Sequence, residues 1–233
     1  PLDSQCAKEN VENYIEDIES GVEKLKIGIP KEYFGENVNK DTVSIVKNGI
    51  KLLEKKGAEI REISLPHFKY ALATYNIIAS AEGSSNLARF DGIRYGYRTQ
   101  NKEAIENLLK QANENKTSLA PWAADYMITR TEGFGDGVKK SILLGTYVLA
   151  SGHQEETFLK ALKIRTLIKD DFTKAFKDVD IMAGPVMPNS AFKFGEKSAS
   201  DSEMLMQNIL NVSANITGVP ALAVPAGFDS NNL

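Results

Sequence analysis

The apolar positions of this chain switch repeatedly between two periods, and the switches mark its elements. Over 25–30 apolar residues alternate with others in the manner of a half-buried strand. Over 41–56 the spacing lengthens to three and four, with Val43, Val46, Ile50 and Leu53 on one stripe, which predicts a helix capped by Gly57. Alternation returns, imperfectly, through Ile60, Ile63 and Leu65, so a second strand is expected over 58–65. Strand, helix and strand in that order make a crossover unit whose two strands run parallel.

Helical spacing then dominates. A long helix is expected over 66–87, an ordered glycine-containing loop over 89–97, and a polar helix over 101–112. A charged connector follows at 113–118, and Trp122 and Tyr126 are expected to anchor the next short segment. Gly133, Gly135 and Gly137 break the chain before a helix over 138–150. The next helix, over 155–176, has Phe158, Leu162, Ile164, Leu167, Ile168 and Phe172 as its apolar positions. A strand near 179–183 runs into a proline-bearing loop, and 195–203 reads as a polar connector. The last stretch combines two signals. Leu205, Ile209, Val212 and Ile216 predict a helix stopped by Gly218, with Asn208 and Asn215 beside the stripe. Leu222, Ala223 and Val224, bounded by prolines, read as a short strand covered on both faces. Before all of this, residues 5–20 are acidic and weakly amphipathic, a helix or a surface arm. The alternation of helices with parallel-type strands gives an α/β fold class with no internal boundary over 1–233.

Composition narrows the function classes. The chain has 233 residues, 42% hydrophobic and 25% charged, enough for one large domain or two small ones with a sizeable core. Its net charge of −3 argues against a dedicated nucleic-acid domain, which carries a basic surplus. A single cysteine, Cys6, excludes an internal disulfide framework and a cysteine-based zinc site, and it fits an intracellular compartment. No apolar run is long enough to span a bilayer, so no membrane partner is expected. The chain starts at Pro1 without a signal-peptide pattern and reads as cut from something longer.

Candidate chemistry is sparse. Ser80, Ser84 and Ser85 lie among small residues, but they lack the flanking glycines of a nucleophile elbow, and close helix packing explains them better. His67 and His153 sit in no triad or metal-ligand spacing and read as structural. Gly133 to Gly137 lacks the lysine and strand of a phosphate loop. What remains suits a small polar substrate. The loop around Asp91, Arg94, Tyr95 and Tyr97 offers a carboxylate, a guanidinium and phenols. Lys139, Lys140 and Ser141 are expected in the first turn of the helix after the glycine break, where N–H groups receive anions and lysines are electrostatically disfavoured.

Several blocks of the chain, taken together, resemble the A subunits of glutamyl-tRNA(Gln)/aspartyl-tRNA(Asn) amidotransferases, within the amidase signature family. They are KIGIPKEYF at 26–34, SSNLARFDGIRYGYR at 84–98, TEGFG at 131–135, ILLGTYVLASG at 142–152, KIRTLI at 163–168, DIMAGP at 180–185 and NITGVPALAVP at 215–225. The resemblance implies a mixed central sheet flanked by helices on both faces, and glutamine hydrolysis by a Ser–cis-Ser–Lys triad. That triad and its glycine/serine-rich loop precede the Asp-Ser motif that Asp3 and Ser4 match, so these residues alone are expected to be inactive. Arg94, Tyr95, Lys140, Ser141 and Asn208 are the substrate-side positions it implies. Two of them depart from the family: Lys140-Ser141 replaces an arginine pair, and Asn208 an aspartate. Lysine lacks the bidentate fork of arginine, and asparagine gives up the attraction for an ammonium group. A stand-alone amidase with another amide substrate, and a non-catalytic scaffold, are the readings left open. The resemblance implies no cofactor in this chain. It further implies that ATP and Mg²⁺ belong to a B subunit, that a small C subunit completes the complex, that tRNA is met only through it, and that the location is cytoplasm or an organellar matrix.

Overall fold

In a computed structural model of the chain, the described residues are 8–11, 13–16, 18–193 and 201–233, with backbone alone for 201–203. They divide into two compact units, one of Pro1–Leu65, Thr173–Glu196 and Ala223–Leu233, the other of Pro66–Phe172 and Lys197–Leu222.

The first unit is the α/β part. Strand β1 (Lys26–Pro30) lies between β2 (Glu59–Ile63) and β3 (Ile181–Met182), and both pairings are parallel. Between β1 and β2 runs helix α1 (Lys40–Lys55), so the expected crossover is present. Asn39 caps it by accepting the Asp41 N–H at 2.8 Å, and Gly57 ends it in a left-handed conformation with φ +98°. The predicted stripe of Val43, Val46, Ile50 and Leu53 is half-buried. Position 28 needs glycine, because a Cβ there would come 2.9 Å from Ile63 Cδ1 and 3.0 Å from Val179 Cγ2. Ile27 and Val179 are buried beside it, and the Asp180 carboxylate accepts the Lys26 N–H at 2.9 Å, fixing β3 on β1.

The second unit is helical: α2 (Ala71–Leu87), α3 (Lys102–Glu114), α4 (Pro121–Gly133), α5 (Asp136–Leu149), α6 (Lys160–Ala175) up to Phe172, α7 (Asp201–Met206) and α8 (Val212–Thr217). Its centre is α2, which packs against α5 and α8, while α3 packs on α4. Ala71, Thr74, Ile78 and Ala81 recur at three and four and are buried, so one face of α2 carries the core. A turn of π-helix, Glu155–Leu159, leads into α6, whose Ile168 and Phe172 are buried as expected. Buried Asp171 accepts the His67 backbone N–H at 2.9 Å and lies 3.0 Å from His67 Nδ1, which gives that histidine a structural partner.

Three expectations need correction. The helix over 204–217 is broken by a turn at 207–211, and Leu205 is exposed while Leu210 is buried. Leu222 to Val224 forms no strand, with Leu222 88% and Val224 68% exposed. Pro220 and Pro225 remove ladder donors on either side, and no described strand pairs with the run. Trp122 is no anchor: it is 74% exposed near the start of α4. Of residues 5–20, the described ones form turns with Val11, Tyr14, Ile15 and Ile18 exposed, as a surface arm would be. Most of the connector expected over 195–203 lies outside the described residues, and Asp201 already begins α7.

Candidate functional site

The loop that leaves α2 is built on Asp91. Its Oδ1 accepts the N–H groups of Ile93 at 2.8 Å and Arg94 at 3.0 Å, and its Oδ2 lies 3.3 Å from the Arg94 guanidinium. Gly92 turns the chain at φ +73°, where a Cβ would come 2.7 Å from Thr129 Cγ2. The backbone N–H groups of Arg94 and Ile93 stabilise the charged carboxylate and lower the Asp91 pKa to about 2. Because the folded value lies below the ordinary 3.8, the turn is fully held above that pH and is lost as pH falls through about 2. An NMR titration of the Asp91 carboxyl should therefore have its midpoint near 2, and a midpoint at 3.8 would mean that this turn does not form in solution.

Behind the turn the loop is tied to α4 by polar bonds. Arg98 pairs with Asp125 at 2.8 Å, and the buried Thr99 donates its N–H to Thr129 Oγ1 at 3.3 Å. Arg130 donates to the carbonyls of Leu87 at 2.7 Å and Phe90 at 3.1 Å, and its guanidinium stacks over Tyr126 and Phe134. Glu132 receives the Tyr97 hydroxyl at 2.9 Å, the Thr99 hydroxyl at 2.6 Å and the Asn101 amide at 3.3 Å. These donors, Thr99 first, hold the Glu132 carboxyl below its usual range, and the bond to Glu132 raises the Tyr97 phenol.

All five expected substrate-side residues fall in the helical unit. Arg94 and Tyr95 share the loop, the guanidinium 5.7 Å from the Tyr95 ring centre, and Phe90 meets Tyr95 edge-on at 6.1 Å. Lys140 and Ser141 are exposed on α5, but in its second turn. The helix starts at Asp136, two residues before the expected position, because Gly135 is extended as its N-cap and Asp136 complements the dipole. Of the two lysines expected in the first turn, only Lys139 remains there. Asn208 is exposed in the turn between α7 and α8, where its carbonyl accepts the N–H groups of Asn211 and Val212 at 3.1 Å. Since α5 and α8 both pack on α2, the Lys140–Ser141 helix and the segment after Asn208 share one supporting helix.

The small-residue run is packing, as its sequence suggests. Ser80 and Ala81 are buried, and Ser84 Oγ lies 3.2 Å from Thr146 Oγ1 on α5. His153 lies against the Tyr147 ring at 4.3 Å. Among the described residues no group of three His, Cys, Asp or Glu is placed to hold a metal ion, and no helix is long and apolar enough to cross a membrane.

A parallel sheet with a βαβ crossover, together with a helical unit built on the α2–α5 contact, defines an α/β fold class. The family model described as Amidase matches residues 1–233, and the chain belongs to that family. Within it, the chain is similar to the glutamyl-tRNA(Gln) amidotransferase A subunit of Halothermothrix orenii, 46% identical over 233 residues, covering 100% of this chain and 45% of that protein. The subunit of the same name from Geobacillus thermodenitrificans is 46% identical over 228 residues, covering 98% and 44%. The chain thus spans a little under half the length of these relatives. The crystal structure of the corresponding A subunit from Thermotoga maritima superposes with a TM-score of 0.63 at 29% identity, over 92% of this chain and 38% of that one. A bacterial aryl acylamidase of the amidase signature family, 16% identical with a TM-score of 0.58 over 91% and 39%, shares the fold.

Proposed function

We propose that this chain is the substrate-side portion of a glutamine-hydrolysing amidotransferase A subunit, which supplies ammonia for amidation of mischarged Glu-tRNA(Gln) or Asp-tRNA(Asn). The observation that carries the reading is the 46% identity to subunits of that name along the whole chain. The loop motif RFDGIRYG, held on α4 by Arg98, Thr99 and Arg130, supports it locally. On this reading Arg94, Tyr95, Lys140, Ser141 and Asn208 face glutamine. The partners are a B subunit, where ATP and Mg²⁺ act, and a small C subunit. tRNA is met only through the complex, which works in the cytoplasm or an organellar matrix.

The test is reconstitution of the full-length parent with its B and C subunits. Glutamine-dependent amidation of Glu-tRNA(Gln) is the expected result, and the 233 residues alone should show no glutaminase activity. Preferential turnover of another amide by the parent, without any tRNA-dependent product, would overturn the reading in favour of a stand-alone amidase.

A further inference from the structure

Glu132 is placed where a carboxylate is electrostatically unwelcome. It lies in the last turn of α4, next to the terminal Gly133, where the helix dipole disfavours negative charge. Its three partners, Tyr97, Thr99 and Asn101, are neutral donors from one stretch of loop, so no ion pair among the described residues offsets that cost. The Tyr97 ring also lies across the α4–α5 turn, since a Cβ on Gly133 would come 3.3 Å from Tyr97 Cδ1. Arg94 and Tyr95 stand three and two residues before Tyr97, and three residues after Glu132 stands Gly135, the N-cap of the helix that carries Lys140 and Ser141.

We infer that Glu132 is a positioning residue that fixes the Arg94–Tyr95 loop against the turn launching α5, and so sets the spacing of the amide-binding groups. The inference rests on the substrate-side reading above. Neutral glutamine at this position would ease the dipole conflict, but it offers one acceptor oxygen where the network uses two. A single carboxylate collects all three donors on its two oxygens. Its oxygens are held in the ionised form by the same bonds, so the joint stays formed through the neutral pH range.

The experiment uses the full-length chain with its partner subunits and whichever amide the wild-type complex turns over. Glu132→Ala should raise the KM for that amide about tenfold with kcat changed less than about twofold, since losing binding shared by ground and transition states raises KM and leaves kcat. Amidation driven by added ammonia should be unchanged. Glu132→Gln keeps an acceptor for Tyr97 and Thr99 and should restore most of the loss. Hydrogen exchange should rise over 91–99 and at the start of α5 in the alanine variant alone. An unmoved KM, or equal losses in the amide-driven and ammonia-driven reactions, overturns this role. A wild-type complex that ignores glutamine overturns only the substrate reading, because the KM comparison then proceeds on the amide it does use.

Discussion

Replacing Gly145 with valine should destabilise the full-length chain by about 3 kcal/mol or more, the upper range for forcing atoms into a closed contact. Gly145 is buried in α5 at the point where that helix crosses α2. A Cβ there would overlap the Ser80 carbonyl oxygen, lie 2.7 Å from its carbon and meet Ser84 Cβ at 2.5 Å. The obstacle is mainly backbone, which cannot rotate away, so relief requires moving one helix off the other. Gly145→Ala meets the same carbonyl with less bulk, and regains about 1 kcal/mol of helix propensity, so its effect should be smaller. Gly49, in α1 with no atom within 4 Å of an added Cβ, supplies the contrast. Its alanine variant should be stabilised by about 0.5–1 kcal/mol. Denaturant midpoints of the three variants test the contact, and equal behaviour at positions 145 and 49 would refute it.

On the substrate-side reading proposed above, placing charges at positions 141 and 208 is expected to tighten glutamine binding. Ser141→Arg adds a planar guanidinium for the substrate carboxylate, and Asn208→Asp adds a carboxylate for its ammonium group. A charge-assisted hydrogen bond contributes about 1.5–3 kcal/mol, so each change should lower the glutamine KM of the full-length complex by about tenfold or more. Both positions are exposed in the helical unit, which lets the new side chains enter without disturbing the core. A KM that stays constant or rises in both variants would show that glutamine is not gripped at these positions. The double variant adds a second criterion. If both groups hold one substrate, their effects should combine, whereas groups on separate sites would leave binding to the weaker one unaltered.

The legible parts of the sequence are those whose physics is local. The βαβ crossover is readable because alternation in β1 and β2 and the three-and-four stripe of α1 reflect which faces are covered. Gly57 and Gly218 are readable as stops because only a left-handed residue closes those helices, and their φ values are +98° and +79°. The parts that the sequence misplaces depend on neighbours that no window contains. Leu222 to Val224 has the composition of a buried strand, yet a strand needs a partner ladder, and its flanking prolines weaken one. The size of Trp122 suggests an anchor, while its exposure follows from which face of α4 meets α3 and the loop. Glu132 stands in no motif that implies chemistry, although a glutamate beside a terminal glycine, set against the helix dipole, is a usable signal.

The sequence by itself determined the types of most elements before residue 204, the parallel crossover, the packing role of the Ser80–Ser84 run and the amidase family, because periodicity, turn chemistry and motif order are written along the chain. Tertiary structure alone decided the rest. It placed Lys140 and Ser141 one turn into α5, put Asn208 in a turn rather than a helix, and gathered Tyr97, Thr99 and Asn101 on one carboxylate. The Glu132 cluster joins segments about 30 residues or more apart, as with Tyr97 and Glu132, and such contacts depend on distance in space and leave no period in the sequence.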